Sequence, residues 1–138
     1  MPCKVRSGEF QDWLTWDEEP FEHDVVGPFY YRVDENGPIS AFRAEARHMN
    51  AAGVMHGGCL MTFADFSLFG IARQELGDDS NGSTIAFTSE FVQGPKAGDL
   101  ISSRGEILKA GRSIIFARGV VKANDNVCLN FSGTIKRR

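Results

Sequence analysis

The residues best placed to do chemistry lie between positions 50 and 72. There a glycine-rich turn, Asn50-Ala51-Ala52-Gly53-Val54-Met55-His56-Gly57-Gly58, opens a largely apolar helical stretch whose one charged residue is Asp65. Burying a carboxylate costs several kcal/mol unless it is paired or hydrogen-bonded. Two readings follow. Asp65 either bonds to backbone or to a loop across an interface, or it is a poorly solvated carboxylate with a raised pKa, suited to act as general base or nucleophile. The glycines also carry two readings. A helix N-terminus presents unpaired N–H groups with a partial positive charge, and glycine lets a ligand approach closely, so Gly57 and Gly58 could hold an oxyanion or simply make a tight turn. His56, just before the helix, is expected to orient that turn by bonding toward Asn50.

Geometry constrains any joint use of these groups. Gly57 and Asp65 are eight residues apart, about 12 Å along one helix at 1.5 Å per residue, whereas a carbonyl carbon and its oxygen are about 1.2 Å apart. One helix hardly supplies both groups to one substrate. A two-fold dimer with antiparallel neighbouring helices would place Gly57 of one subunit opposite Asp65 of the other. The helix composition agrees: from Leu60 to Ala72 its apolar positions point in every direction, as expected of a helix buried on nearly all sides, and a symmetric partner can supply cover that one sheet cannot.

The elements around this helix follow from turn signals and periodicity. Residues 9–23 contain Trp13, Leu14, Trp16 and Phe21 at spacings that predict a short amphipathic helix serving as a lid or brace. Asn36-Gly37 separates two strand-like runs, 29–34 and 39–47, as a hairpin. A helix over about 57–76 is stopped by Gly77. Four strands are expected at roughly 83–92, 99–109, 112–122 and 126–136, read as a meander because turn formers separate them. The result is one α+β domain, residues 27–138, preceded by an N-terminal segment, residues 1–26. In it a curved antiparallel sheet of five to six strands wraps a long central helix.

Composition narrows the function classes. The chain has 138 residues, 15 basic against 18 acidic, and no basic run except Lys136-Arg137-Arg138, so a nucleic-acid footprint is missing. Cys3, Cys59 and Cys128 fit neither a disulfide framework nor a zinc site, and a reducing cytoplasm is the expected home. No window suggests a membrane span or a signal peptide. His23, His48 and His56 have no ligand-like spacing, so no metal is expected. A serine-hydrolase elbow, Gly-x-Ser-x-Gly, does not occur.

The pattern Asn50-x-x-Gly53-x-x-His56-Gly57-Gly58-x(6)-Asp65 resembles the hotdog-fold acyl-CoA thioesterases of the phenylacetate-degradation, or PaaI-like, group, over roughly residues 27–136. The resemblance implies a hotdog fold, hydrolysis of a CoA thioester without a further cofactor, a homodimer as the catalytic unit and a homotetramer. It places the catalytic carboxylate on Asp65, the oxyanion amide on Gly57, the motif asparagine on Asn50, and the hydroxyl residue of the following strand on Thr84, or on Ser83 if the register shifts by one. The phosphates of coenzyme A could meet Lys96, Lys109, Arg112 or Arg118, with Lys109-Ala110-Gly111-Arg112-Ser113 the best cluster. The Trp-rich N-terminal segment lies outside the motif and could cap the acyl pocket. Two rivals are a hydratase or dehydratase of the same fold and a non-catalytic acyl-CoA-binding protein. The first pairs its catalytic His and carboxylate differently, and the second has no need of Asp65.

Overall fold

In the computed structural model, which describes residues 1–77 and 81–138, one long helix lies on the concave face of a single antiparallel sheet. The strands are β1 (Cys3–Lys4), β2 (Leu14–Thr15), β3 (Tyr30–Asp34), β4 (Gly37–Arg43), β5 (Gly82–Phe91), β6 (Leu100–Ala110), β7 (Ile114–Ala123) and β8 (Asn126–Arg137). The helix α1 spans Gly57–Leu76. Across the sheet the strands run β1-β2-β3-β4-β6-β7-β8-β5. The six long strands are those expected from sequence. The other two, each of two residues, come from the N-terminal segment and bring the total to eight.

That segment is not the helix expected over 9–23. It turns tightly around Gly8 and Asp12, both with positive φ, then runs extended so that Leu14 pairs with Tyr31 of β3. The reason is that its aromatic residues serve opposite faces of the sheet. Phe10 stacks on Tyr30 at 4.3 Å and meets the edge of Trp13, whereas Trp16 packs against Tyr31 and Phe66 on the helix side. Neighbouring strand residues point to opposite faces, so an extended chain reaches both, and a helical stripe would reach one. A single wide turn follows over Glu22–Val26, closed by i+5 bonds from Val26 N to Phe21 O and from Gly27 N to Glu22 O.

Two further expectations are corrected. The strand expected over 39–47 ends at Arg43, and Ala46–His48 forms one tight turn in which Glu45 and His48 cap each other. The last four strands are not one meander. Consecutive hairpins join β6, β7 and β8, but β5 pairs with β8 and β4 pairs with β6. The chain after β5 crosses through residues 92–99, which bond Val92 N to Cys128 O and Met55 N to Pro95 O on the way. The sheet curls around α1, and β5 becomes its far edge.

The core lies between α1 and this concave face. Leu60, Phe63, Ala64, Leu68 and Ala72 are fully enclosed, with Phe29, Phe42, Ile101, Ile115, Leu129 and Phe131 opposite them. Phe63 sits 5.2 Å from Phe29 and 4.8 Å from Phe42, ring centre to ring centre. The sheet does not cover α1 on all sides. Met61, Asp65 and Phe69, each one turn from the next, form a stripe that stays partly open.

Replacing Phe63 by Ala is expected to destabilise the fold by about 3–5 kcal/mol, since it removes a fully enclosed aromatic ring. Urea unfolding should show a lower midpoint with an unchanged slope.

Candidate active site

The glycine-rich turn is built from its own backbone. Met49 bridges to Met55, Asn50 N bonds to Val54 O at 2.7 Å, and Gly53, at φ 78°, returns its N–H to Asn50 O at 3.0 Å. Asn50 Oδ1 accepts from Ala52 N at 2.9 Å and Val54 N at 3.3 Å, so the side chain braces the turn it belongs to. His56 does not bond toward Asn50. Its Nδ1 accepts from Gly58 N at 2.9 Å, its backbone N–H is held by His48 O, and its carbonyl receives Cys59 N and Leu60 N. A Cβ at position 58 would lie 3.0 Å from that Nδ1, which is why glycine suits the cap.

This capping has a chemical consequence. A helix begins with four N–H groups that have no partner within it. In α1, His56 takes those of Gly58 and Cys59 besides accepting the first regular helical bond from Leu60, and the Gly57 N–H is left without an acceptor among the described residues. The ring of Phe91, at the end of β5, lies against Gly57, 3.1 Å from where a Cβ would stand.

Two turns further along, Asp65 is half-buried and receives the Thr84 hydroxyl on Oδ1 at 2.6 Å. Burial raises its pKa above the ordinary carboxylate value, and the Thr84 hydrogen bond opposes that rise. Ser83 belongs to another contact, accepting from Arg138 Nη2 at 2.8 Å and Nε at 3.1 Å. Of the two hydroxyls considered from sequence, Thr84 is therefore the one that meets Asp65.

Asp65 opens into a cavity of about 270 Å³ walled by Trp16, Tyr31, Phe66 and Phe69. Its charged lining comes from Glu19, Glu22 and Arg73, with the Arg73 guanidinium 5.1 Å from the Trp16 ring centre. Burial, aided by the charges of Glu19 and Asp65, pushes Glu22 up to about 7. The charged residues missed from sequence are thus Arg73 of α1 and Glu19 and Glu22, the last two delivered by the N-terminal segment. Their surroundings there, Asp17-Glu18-Glu19 and Glu22-His23-Asp24, read as an ordinary solvated acidic run. Trp16 belongs to the segment expected to cap a pocket, and it does line this one.

The expected cations are elsewhere. Lys109 sits beside a bulge in β6 and Arg112 in the β6–β7 turn, Arg118 pairs with Glu106, and none of them lines the cavity. Neither Gly57 nor Asn50 lines it. Among the described residues no group of three His, Cys, Asp or Glu is arranged to hold a metal, and no helix is long and apolar enough to cross a membrane.

The sequence matches the model of the thioesterase superfamily over residues 52–129, more than half of the chain, and the chain belongs to that superfamily, with its hotdog fold. A mutant of the phenylacetic acid degradation protein PaaI from Thermus thermophilus superposes with a TM-score of 0.74 at 19% identity, over 87% of this chain and 100% of that one. Zebra fish thioesterase superfamily member 2 gives 0.73 at 20% identity, over 88% and 90%. A hypothetical thioesterase from Streptococcus pneumoniae, solved with coenzyme A, gives 0.67 at 17% identity, over 79% and 87%. No curated protein sequence matches the chain.

The raised pKa of Glu22 makes a statement about stability. A carboxyl that holds its proton more tightly when folded loses folding free energy as pH rises from its ordinary value of 4.5 to about 7. Glu22→Gln escapes that loss. Calorimetry should show a higher Tm for the variant at about pH 8 and no difference at about pH 4.

Proposed function

We propose that this protein hydrolyses acyl-CoA thioesters and belongs among the PaaI-like enzymes. The observation that carries the reading is Asp65: a half-buried carboxylate held by Thr84, lining a cavity, inside the segment that matches the superfamily. An under-solvated carboxylate is a stronger base than one in water. It takes a proton from water attacking the acyl carbon, or attacks that carbon itself. The carbonyl oxygen then gathers negative charge, and a preorganised N–H aimed at it lowers the barrier. The open Gly57 N–H is the group for this, with His56 fixing its direction through the Gly58 cap and Gly58 keeping the approach clear.

Because Gly57 and Asp65 stand about 12 Å apart along α1, the oxyanion donor comes from the partner subunit. The exposed edge of β5 favours that assembly. It is long, its outer side has no strand beside it among the described residues, and Ile85, Phe91 and Val92 are more than half exposed along it. An unpaired apolar edge invites a second strand, and two β5 edges paired across a two-fold axis carry their helices with them. Two such dimers make the tetramer. Asn50 shares a turn with Gly57 and would arrive with it. With Oδ1 engaged, Asn50 offers its amide N–H groups to the thioester or to water.

The bound coenzyme A in the Streptococcus pneumoniae relative supports a CoA thioester as substrate. In this reading Lys109 and Arg112 meet phosphates outside the cavity, in the assembled protein, and no cofactor is needed. The three unpaired cysteines suit a reducing cytoplasm.

The test is thiol release over a panel of phenylacetyl-, hydroxyphenylacetyl-, benzoyl- and fatty acyl-CoA. Asp65→Asn is expected to cut kcat by about 10²–10⁴-fold while ligand binding persists, and an unchanged rate of CoA release ends the proposal. Thr84→Val removes the hydrogen bond that holds the Asp65 pKa down. The acid limb of the pH profile should move to higher pH, and Thr84→Ser should restore it.

A further inference from the structure

The N-terminal segment does more than cover the pocket, since it sets a second carboxyl beside Asp65. Glu22 lies on the wide turn Glu22–Val26 and lines the same cavity as Asp65. The turn is fixed rather than draped. Arg47 Nη1 donates to Val25 O at 2.6 Å, its Nη2 donates to Gly27 O, and His48 Nε2 donates to Val26 O at 2.7 Å. His48 O in turn holds His56 N at 2.9 Å. One short turn thus anchors both the carrier of Glu22 and the cap of α1.

We propose that Glu22 is a second acid–base residue of this site, giving its proton to the sulfur as the thioester C–S bond breaks. The inference rests on the thioesterase reading. In the forward step Asp65 takes a proton from water and the water oxygen bonds the acyl carbon. The intermediate collapses, the C–S electron pair goes to sulfur, and sulfur takes the Glu22 proton. Asp65 then passes its new proton to the Glu22 carboxylate, so one water has been added and both side chains are restored. If Asp65 attacks directly, sulfur takes the same proton, and the water that later opens the anhydride returns it.

Charge explains why a donor helps here. A thiolate released beside the Glu19 carboxylate would add a second anion to a partly desolvated space, and protonation on departure avoids this. The groups facing Glu22 are Glu19 on its own segment, Asp65 and Arg73 on α1, and Tyr31 on β3. His23, next in the chain, is taken up by Asp24 at 2.8 Å. Burial with Glu19 and Asp65 nearby keeps Glu22 protonated up to about 7, and burial also raises Asp65, a rise that the Thr84 hydrogen bond opposes. The Thr84 hydrogen bond favours the charged form of Asp65 and burial favours the neutral form of Glu22, and two carboxyls in one cavity with such different surroundings suit a base and an acid working together.

The experiment compares two thioesters of the same acyl group, one of coenzyme A and one of nitrothiophenol, whose thiolate leaves without a proton. With the CoA ester, wild type should lose activity as pH rises through about 7, and Glu22→Gln should lower kcat by about 10²-fold and abolish that alkaline limb. With the aryl ester the variant should stay within about threefold of wild type. Glu22→Asp should keep the limb, and the melting curve of each variant shows that it folds. Equal losses on both esters, or an alkaline limb that survives in Glu22→Gln, overturn the assignment and leave the thioesterase reading intact. If folded wild type releases no thiol from either ester, both readings fall together.

Discussion

The structure depends on keeping one carboxylate out of bulk water while leaving it reachable. Asp65 sits in the middle of a helix whose other central residues are packed against a sheet, so its position is set by the burial of its neighbours. Ala64 and Phe66 on either side are enclosed, and Phe63 locks the helix to Phe29 and Phe42. The stripe through Met61, Asp65 and Phe69 stays partly open. The desolvation that raises the Asp65 pKa is therefore a property of the whole helix–sheet contact. The single Thr84 hydrogen bond on it limits that rise without cancelling it.

A second constraint is the length of a helical turn. The same helix carries a carboxylate at its centre and an open amide at its start, and rigidity keeps them apart. Two-fold symmetry is the economical way to bring an amide and a carboxylate of identical chains together, and it makes two equal sites. The capping pattern of His56 fits the proposed division of labour between two subunits, for it satisfies the next three amides and leaves the first. The N-terminal segment supplies the remaining wall. It is tied through Arg47 and His48 to the turn that holds the cap, which couples the shape of the cavity to the direction of the Gly57 N–H.

Asp65 was legible because it is the one charged residue between Gly57 and Ala72, and the helix because Gly-Gly opens it and Gly77 closes it. The six long strands were legible from period and turn residues. Their order was not, since sequence neighbours suggest a meander while closure of the sheet around α1 sends β5 to pair with β8. Residues 9–23 mislead because Trp13 and Trp16 sit at a helical spacing yet serve opposite faces through Tyr30 and Tyr31. Glu22 carries no mark at all. An acid among acids looks solvated, and only the tertiary packing of its turn against α1 shows that it is not. Proximity in sequence pairs Asn50 with His56, but the asparagine oxygen serves the amides two and four residues ahead, a local competition that asparagine often wins in turns.

Subunit mixing tests the central claim most directly. Gly57→Pro removes one N–H at the first helical position, where proline is tolerated, and His56, at ψ 133°, already has the extended backbone that a following proline prefers. Each of Gly57→Pro and Asp65→Asn should be inactive alone in thiol release. Co-refolded, each mixed dimer should regain one working site, built from Asp65 of one chain and Gly57 of the other. A mixture no more active than its two parents, or full activity of Gly57→Pro on its own, would contradict the account.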